Sequence, residues 1–538
     1  MQILAANIQF VILFCFAAFF IRRSLVLCLL YQQEEYDNKR FLKMVLGGMG
    51  FIDKKFTILS IITILIYSYS QKNLVFIGIY IAIFIYLIFQ EFDPILAAKK
   101  CLVLTKRVKS ILTICIILNA AIIAAMVCCH NLESHLVGYV LVIQFLPITL
   151  TLANILLMPY ENYVQKKFYK EAKDILAQHN PKVIAITGSY GKTSTKYILN
   201  HILSSGVATL ATPGSVNTVM GIVRVIRERL KWEHKYFIVE MGAYGVGSIK
   251  RLCELAPPNY GIITSIGVAH FERYKSRENV ARAKFELSDY VARALGDIIL
   301  NRDKIPAKYI AKYNQVSSEH SCYVGSSINP GDFQIRHSQN TIEGISFELL
   351  FNEDTFFIKA PIYGLQQVEN IALSFVLAMR LGLKSDLIIA SLAKLPQTPH
   401  RLEVKRQGSN IIIDDAYNSN PDGFKAALDV LDMFGRGNSK GRRIVVTPGM
   451  VEMGAKHDDE HRNLGEIMAS RCDILVAVLP ERITALTESF AKHAPDKVIK
   501  LFPNFKLAKA WLDSNIQGHD IVLFENDLPD IYETKIRF

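Results

Sequence analysis

Apolar residues run almost unbroken over Ile3–Ile21, Ile111–Cys129 and Leu136–Tyr160, each long enough for one helix to cross a bilayer, with shorter runs at Phe56–Tyr69 and Leu74–Phe89. These segments predict an α-helical transmembrane bundle of about five helices over residues 1–165. The first has no basic leader and no small-residue cleavage site, so it reads as a span and not as a removable signal. After about residue 178 the pattern changes, and short apolar runs alternate with helical periodicity, as in an α/β fold. Val183–Thr187, Tyr236–Met241, Tyr260–Ile266 and Asp297–Leu300 predict strands, with helices at Lys192–Ser204 and Glu278–Leu287 between them. Together they predict a doubly wound central domain over residues 178–390. Asn410–Asp415, Arg443–Thr447, Asp473–Val478, Val498–Phe502 and Asp520–Phe524 predict parallel strands of a second, Rossmann-like α/β domain over residues 396–538. Ser391–Leu402, with Pro396 and Pro399, is the expected hinge.

Charge refines the first segment of this picture. The net charge is +12, but the basic residues of the N-terminal part gather beside apolar runs. Arg22, Arg23, Lys39, Arg40, Lys43, Lys54 and Lys55 follow the first run, and Lys99, Lys100, Lys106, Arg107 and Lys109 follow the third. The positive-inside rule places these loops in the cytoplasm and the N-terminus outside. Lys166, Lys167 and Lys170 follow the fifth run, so an odd number of crossings delivers both α/β domains to the cytoplasm. The expectation is a multi-pass protein of the inner (cytoplasmic) membrane, with no nucleic-acid partner. Without a C-x-x-C pair, the cysteines support neither a zinc ribbon nor a disulfide framework. Asn119, Gln144 and Asn154 read as packing contacts between membrane helices.

The chemistry lies in the central domain. The strand ending at Thr187 turns at Gly188 into the loop Gly188-Ser189-Tyr190-Gly191 and then into a helix that starts Lys192-Thr193-Ser194. Such a loop aims backbone N–H groups at a phosphate, Lys192 reaches the terminal phosphates, and Thr193 offers its hydroxyl to Mg²⁺. Glu240 stands at a strand tip, where an open parallel sheet places its ligand crevice, and is a candidate ligand for the same ion. His270, Lys284 and Asn301 stand alone and carry no assignment from spacing.

An ordered series of motifs gives them one. "TGSYGKTST" (187–195), "TPGSVNTVMGI" (212–222), "VEMGAYGVGSI" (239–249), "TSIGVAHFERY" (264–274), "AKFEL" (283–287), "ILNRD" (299–303), "RLEV" (401–404), "DDAYNSNPDGFKAALDVL" (414–431) and "TPGMVEMG" (447–454) make the chain resemble the Mur ligases. That family forms peptide bonds at the expense of ATP in peptidoglycan precursor synthesis, and the nearest resemblance is to the type that adds D-alanyl-D-alanine. The resemblance implies that His270 and a carbamylated Lys284 help hold a second Mg²⁺. It also implies that Asn301 contacts adenine, that Arg401 is the hinge arginine near the nucleotide, and that Asp415, Tyr417 and Asn418 face the nucleotide from the last domain. The implied reaction phosphorylates a substrate carboxylate with ATP, and the amine of an amino acid or D-Ala-D-Ala then attacks the acyl phosphate.

Departures from the family pattern bear on the substrates. A membrane region stands where soluble members carry a UDP-gripping domain, so the acceptor is either a UDP-linked precursor served by an anchored enzyme or a lipid-linked acid presented at the bilayer. Gln366 stands where a His is common, Tyr190 replaces a common Asn, Asn301-Arg-Asp-Lys304 lacks a second acid, and "TPGMVEMG" departs from the usual Leu-Gly-Asp-Met form. Two further readings are a membrane ligase for another acidic polymer, similar in logic to poly-γ-glutamate synthases, and an ATP-driven transporter. A transporter would need a Walker-B strand and a signature loop, which the sequence lacks.

Overall fold

The computed structural model describes residues 2–47, 54–69, 75–91, 93–95, 101–127, 132–267, 274, 276–417, 420–436, 441–451 and 453–526. Its described residues divide into two compact units, residues 2–164 and residues 165–526.

The first unit is helical: α1 (Gln2–Gln33), α2 (Asn38–Gly47), α3 (Lys54–Tyr69), α4 (Val75–Gln90), α5 (Lys106–Val127) and the start of α6 (Leu132–His179). All five apolar runs are helical among the described residues, and α2 is an additional short amphipathic helix. Among the described residues, three helices are long and apolar enough to cross a membrane: Phe10–Gln33, Lys106–Ala125 and His135–His179. α3 and α4 have 16 residues each, about 24 Å of helix against a hydrocarbon core of about 30 Å.

One expectation is corrected here. Arg22 and Arg23 do not lie in a loop, because α1 continues to Gln33, and Lys39, Arg40 and Lys43 lie in α2, Lys54 and Lys55 in α3, and Lys106, Arg107 and Lys109 in α5. Arg23 is accommodated inside the helix by Glu91, which accepts from Nε at 2.7 Å and from Nη2 at 2.9 Å. A bidentate pair of this kind neutralises the charge where the helix surface is covered. Asn119 donates to Thr149 Oγ1 at 3.0 Å, and Asn154 donates to Asn38 Oδ1 at 2.9 Å while accepting from Arg107 at 3.0 Å, so both are interhelical contacts.

The second unit contains two sheets. The nine-stranded sheet has the order β2-β3-β1-β4-β5-β6-β7-β8-β9, from β1 (Lys182–Thr187), β2 (Thr209–Ala211), β3 (Tyr236–Glu240), β4 (Tyr260–Ile263), β5 (Ile298–Asn301), β6 (Ser321–Ser326), β7 (Phe333–Thr341), β8 (Gly344–Phe351) and β9 (Asp354–Ala360). Pairing is parallel from β2 to β7 and antiparallel from β7 to β9. β1 alternates between two cores: Val183 and Ala185 pack with α8 (Val219–Arg229) and α9 (Ser248–Leu255), whereas Ile184 and Ile186 pack with α7 (Lys192–Ser204) and the helix Gln366–Arg380. Burial on both faces explains why the strand reads as a continuous apolar run. The chain leaves β1 toward β2 and β3 and then crosses to β4 on the other side, so the carboxyl end of β1 is the topological switch point, where open α/β sheets bind ligands.

The six-stranded sheet has the order β10-β11-β15-β12-β13-β14, with β10 (Glu403–Gln407), β11 (Asn410–Asp415), β12 (Arg443–Thr447), β13 (Ile474–Val478), β14 (Val498–Phe502) and β15 (Ile521–Glu525). Its strands are parallel except for the antiparallel edge pair β10–β11.

Candidate active site

Glycine shapes the loop that follows β1. Gly191 has φ +81°, and a Cβ there would meet Asn370 Oδ1 at 2.5 Å, so backbone conformation and space both exclude a side chain. The loop is clamped to the segment after β4: Ser189 N donates to Ser265 O at 3.0 Å, Tyr190 N to Ser265 Oγ at 2.9 Å, and Gly267 N to Ser189 Oγ at 2.9 Å. No side chain caps the N-terminus of α7, which leaves its first N–H groups directed into the loop, with Ser194 buried in the first turn. Lys192 curls over the loop and donates to Gly188 O at 2.8 Å and Ser189 O at 3.3 Å. Burial pulls its ammonium below the ordinary lysine range; the nearby Glu240 carboxylate opposes that shift and the Arg401 guanidinium adds to it. The glycine cradle, the free N–H groups and the lysine fit a nucleotide phosphate.

Glu240, at the end of β3, is the hub of the site. Its Oε2 accepts from Thr193 Oγ1 at 3.0 Å and from Lys196 Nζ at 2.9 Å, while Oε1 accepts from Asn217 Nδ2 at 3.3 Å. Thr193 and Glu240 thus meet as sequence spacing predicts, and their hard oxygens suit Mg²⁺. Lys196 was not anticipated. It lies one helical turn after Lys192, a spacing that puts both on one face of α7 and is the signal that would have found it.

Lys284 projects from the helix Arg277–Arg293 with only 4% of its surface exposed. Desolvation, with the Lys192 charge as a second cause, holds its amine well below the ordinary lysine range. Its neighbours one turn either way, Val280 and Leu287, are fully buried, so the helical stripe marks Lys284 as interior. Asn301 ends β5; its Nδ2 donates to Glu369 Oε2 at 2.8 Å, and its Oδ1 accepts from the backbone of Asp303 at 3.0 Å and Lys304 at 3.2 Å. Burial raises the Glu369 carboxyl, an effect Lys304 and Asn301 partly offset. His270 lies outside the described residues, as does Asn418.

The second α/β domain faces this site through β11 and the hinge. The Arg401 guanidinium lies 4.1 Å from the Tyr417 ring centroid, and the Tyr417 hydroxyl hydrogen-bonds Ser215 of the central domain. Asp415 accepts from Leu402 N at 3.0 Å, and burial raises its carboxyl against the opposing pull of Arg401. A cavity of about 310 Å³ lies under the hinge, between Tyr197 and His201 of α7 and Pro396–Leu402. The hinge also groups His400, Glu403 and Asp414 closely enough to ligate a cation. There the Lys405 ammonium already pairs with Glu403 at 2.9 Å and Asp414 at 3.3 Å, so one cation already offsets part of the cluster's negative charge and braces the hinge.

A P-loop sheet joined by a hinge to a second α/β domain, with a buried lysine and a carboxylate hub at the switch point, defines a nucleotide-dependent two-domain enzyme. Comparison with known proteins narrows the class. Residues 186–378 match the Mur ligase middle domain, and residues 400–525 match the Mur ligase, glutamate ligase domain. The UDP-N-acetylmuramoyl-tripeptide–D-alanyl-D-alanine ligase of Mycobacterium tuberculosis (strain ATCC 25618 / H37Rv) is 31% identical over 364 residues, covering 63% of this chain and 69% of that protein. Crystal structure II of MurF from Acinetobacter baumannii matches with a TM-score of 0.59 and 26% identity, covering 67% of this chain and 77% of that one. The MurF ligase from Thermotoga maritima in complex with ADP matches with a TM-score of 0.57 and 25% identity, covering 69% and 82%. The chain belongs to the Mur ligase family and is an ATP-dependent ligase.

Proposed function

We propose that the protein activates the free carboxylate of a cell-envelope precursor with ATP and joins it to the amine of an amino acid or of D-Ala-D-Ala, the dipeptide named in its relatives. The observation that carries this reading is the convergence of Lys192, the Thr193–Glu240 pair and buried Lys284 at the carboxyl end of the sheet. Gly188, Ser189, Gly191 and Ser194 would cradle the phosphates with Lys192, while Asn301, Arg401, Asp415, Tyr417 and Asn418 would enclose the nucleoside. Thr193 and Glu240 would hold one Mg²⁺, and His270 with carbamylated Lys284 a second. Bound Mg²⁺ supplies charge neutralisation for the transferring phosphoryl group. Lys192 stabilises charge that develops on the terminal phosphate, and a desolvated, neutral Lys284 amine has the lone pair that reaction with CO₂ requires. The Arg401–Tyr417 stack and the Tyr417–Ser215 bond bring the last domain over the site, where excluding water protects an acyl phosphate from hydrolysis.

We read residues 1–165 as a multi-pass inner-membrane region with its N-terminus outside, residues 178–390 as the ATP-binding domain, and residues 396–538 as the closing domain in the cytoplasm. Three span-length helices and outward apolar side chains such as Phe10, Phe14 and Leu65 support a lipid environment for the first unit. That favours a lipid-linked acceptor over a purely soluble one. The test is ATP-dependent phosphate release by detergent-solubilised protein with D-Ala-D-Ala and either UDP-linked or lipid-linked muramoyl tripeptide. Turnover on the lipid-linked acid alone is expected; equal turnover on the UDP-linked acid reduces the helices to an anchor. Silence on both, with activity on an acidic polymer, would replace the acceptor assignment altogether.

A further inference from the structure

Glu240 is 1% exposed, and its carboxylate is shared unevenly. Oε2 takes the Thr193 hydroxyl at 3.0 Å and the Lys196 ammonium at 2.9 Å, which uses both of its lone pairs. Oε1 takes the longer 3.3 Å contact from Asn217 and keeps one lone pair among the described residues. Lys196 is fully buried. Its ammonium also donates to Gly214 O, and the next residue of α7, Tyr197, accepts from Gly214 N at 3.0 Å. Two consecutive residues of α7 therefore hold both polar groups of the Gly214 turn. Ser215, the next residue of that turn, meets Tyr417 of the second domain. A buried ion pair is weak evidence for stability, since an apolar pair of the same shape often serves as well. The geometry here serves orientation: the ammonium occupies Oε2 and leaves Oε1 with the longer contact of the two oxygens.

We propose that Lys196 is a positioning residue of the phosphoryl-transfer site: it occupies Oε2 of Glu240, so that Oε1 is the oxygen presented to the divalent cation, and it ties that carboxylate to the Gly214 turn. The inference rests on Glu240 being a cation ligand, as proposed above. Replacing Lys196 by Met leaves the phosphate loop and Lys192 in place but leaves Oε2 with the Thr193 hydroxyl alone, so the carboxylate loses its single orientation.

The test uses the full-length protein in detergent, with Mn²⁺ binding read by electron paramagnetic resonance in the presence of a non-hydrolysable ATP analogue, alongside phosphate release. Lys196→Met is expected to weaken Mn²⁺ binding by at least about tenfold, because loss of the fixed Oε1 orientation outweighs the extra attraction of a carboxylate without its counter-cation. Its kcat should fall by about thirtyfold or more while KM for ATP stays within about threefold, the split expected when an interaction of the transition state is removed. Lys196→Arg, which returns a cation to the carboxylate, should recover part of both losses; a purely packing role would not be rescued in this way. If the Met variant does not fold, Lys196→Gln decides. A folded Met or Gln variant with Mn²⁺ affinity and kcat within about threefold of the parent overturns the proposal. Glu240→Gln separates the two layers: unchanged Mn²⁺ affinity in that variant means Glu240 is not a ligand, whatever Lys196 does.

Discussion

Single residues at the switch point divide into those that sequence spacing exposes and those that it hides. Gly191, Lys192 and Thr193 are legible because a phosphate loop demands fixed residue types at fixed offsets, and Glu240 because a strand tip is an address. Lys196 and Lys284 are less so, because a lysine on a helix is by default a solvated side chain: helical spacing places them on a face, but the partner of Lys196 lies 44 positions away in sequence, and Lys284 was named only through its motif. Two predictions belong at this scale. Gly191→Ala forces a Cβ into the left-handed region and against Asn370, so nucleotide binding should be lost and stability should fall by about 1–3 kcal/mol. Isothermal titration with an ATP analogue and thermal unfolding measure the two effects, and a variant that binds like the parent would contradict the cradle. For Lys284, the sign follows from its lowered pKa: the neutral amine is the form that reacts with CO₂, and burial favours that form. Enzyme stripped of CO₂ should lose turnover and regain it with bicarbonate, whereas Lys284→Arg should be inactive under both conditions.

At the level of elements, the parallel strands were the most legible features, since β1, β3 and β11 to β15 fall within a residue or two of their apolar runs. β2, β6 and β10 were not read from the sequence, nor were β7 to β9. Their side chains alternate between a buried face, including Phe333, Ile335, Phe347 and Leu349, and a wetter one, so no continuous apolar run announces them. The loop after β12 shows how an element carries a titration into stability. His461, fully buried on the helix His457–Arg471, hydrogen-bonds His457 O through Nδ1 at 2.7 Å and accepts from Met450 N through Nε2 at 3.0 Å. Burial lowers its pKa to about 4 from the ordinary 6.5. The folded domain refuses a proton that the unfolded chain accepts between those values. Stability is therefore complete above about pH 6.5 and declines as pH falls toward about 4, by at most about 3 kcal/mol. Urea midpoints followed through Trp511 at several pH values would show this slope. His461→Leu should flatten it while lowering stability at neutral pH by about 1–3 kcal/mol, because Met450 N–H loses its acceptor.

For the whole molecule, the question is what joining a helical unit to a ligase achieves. A soluble ligase meets its acceptor by diffusion in three dimensions, whereas one whose own chain crosses the bilayer shares a surface with a lipid-linked acid and meets it at a raised effective concentration. That advantage requires the catalytic domains to face the compartment that holds ATP, so the reading stands or falls on topology. The charge pattern makes a definite prediction: segment 101–105, just before Lys106 and Arg107 at the start of α5, should be cytoplasmic. Cys101, exposed in that segment, is a natural reporter. In a variant retaining Cys101 as the single cysteine, a membrane-impermeant maleimide should label intact cells only after permeabilisation, and alkaline carbonate should leave the protein in the membrane while detergent releases it. Labelling of intact cells would invert the orientation and put ATP on the wrong side of the site. Release by carbonate would mean that the helices do not span, and the argument for a lipid-linked acceptor would lose its physical basis even if the ligase chemistry held.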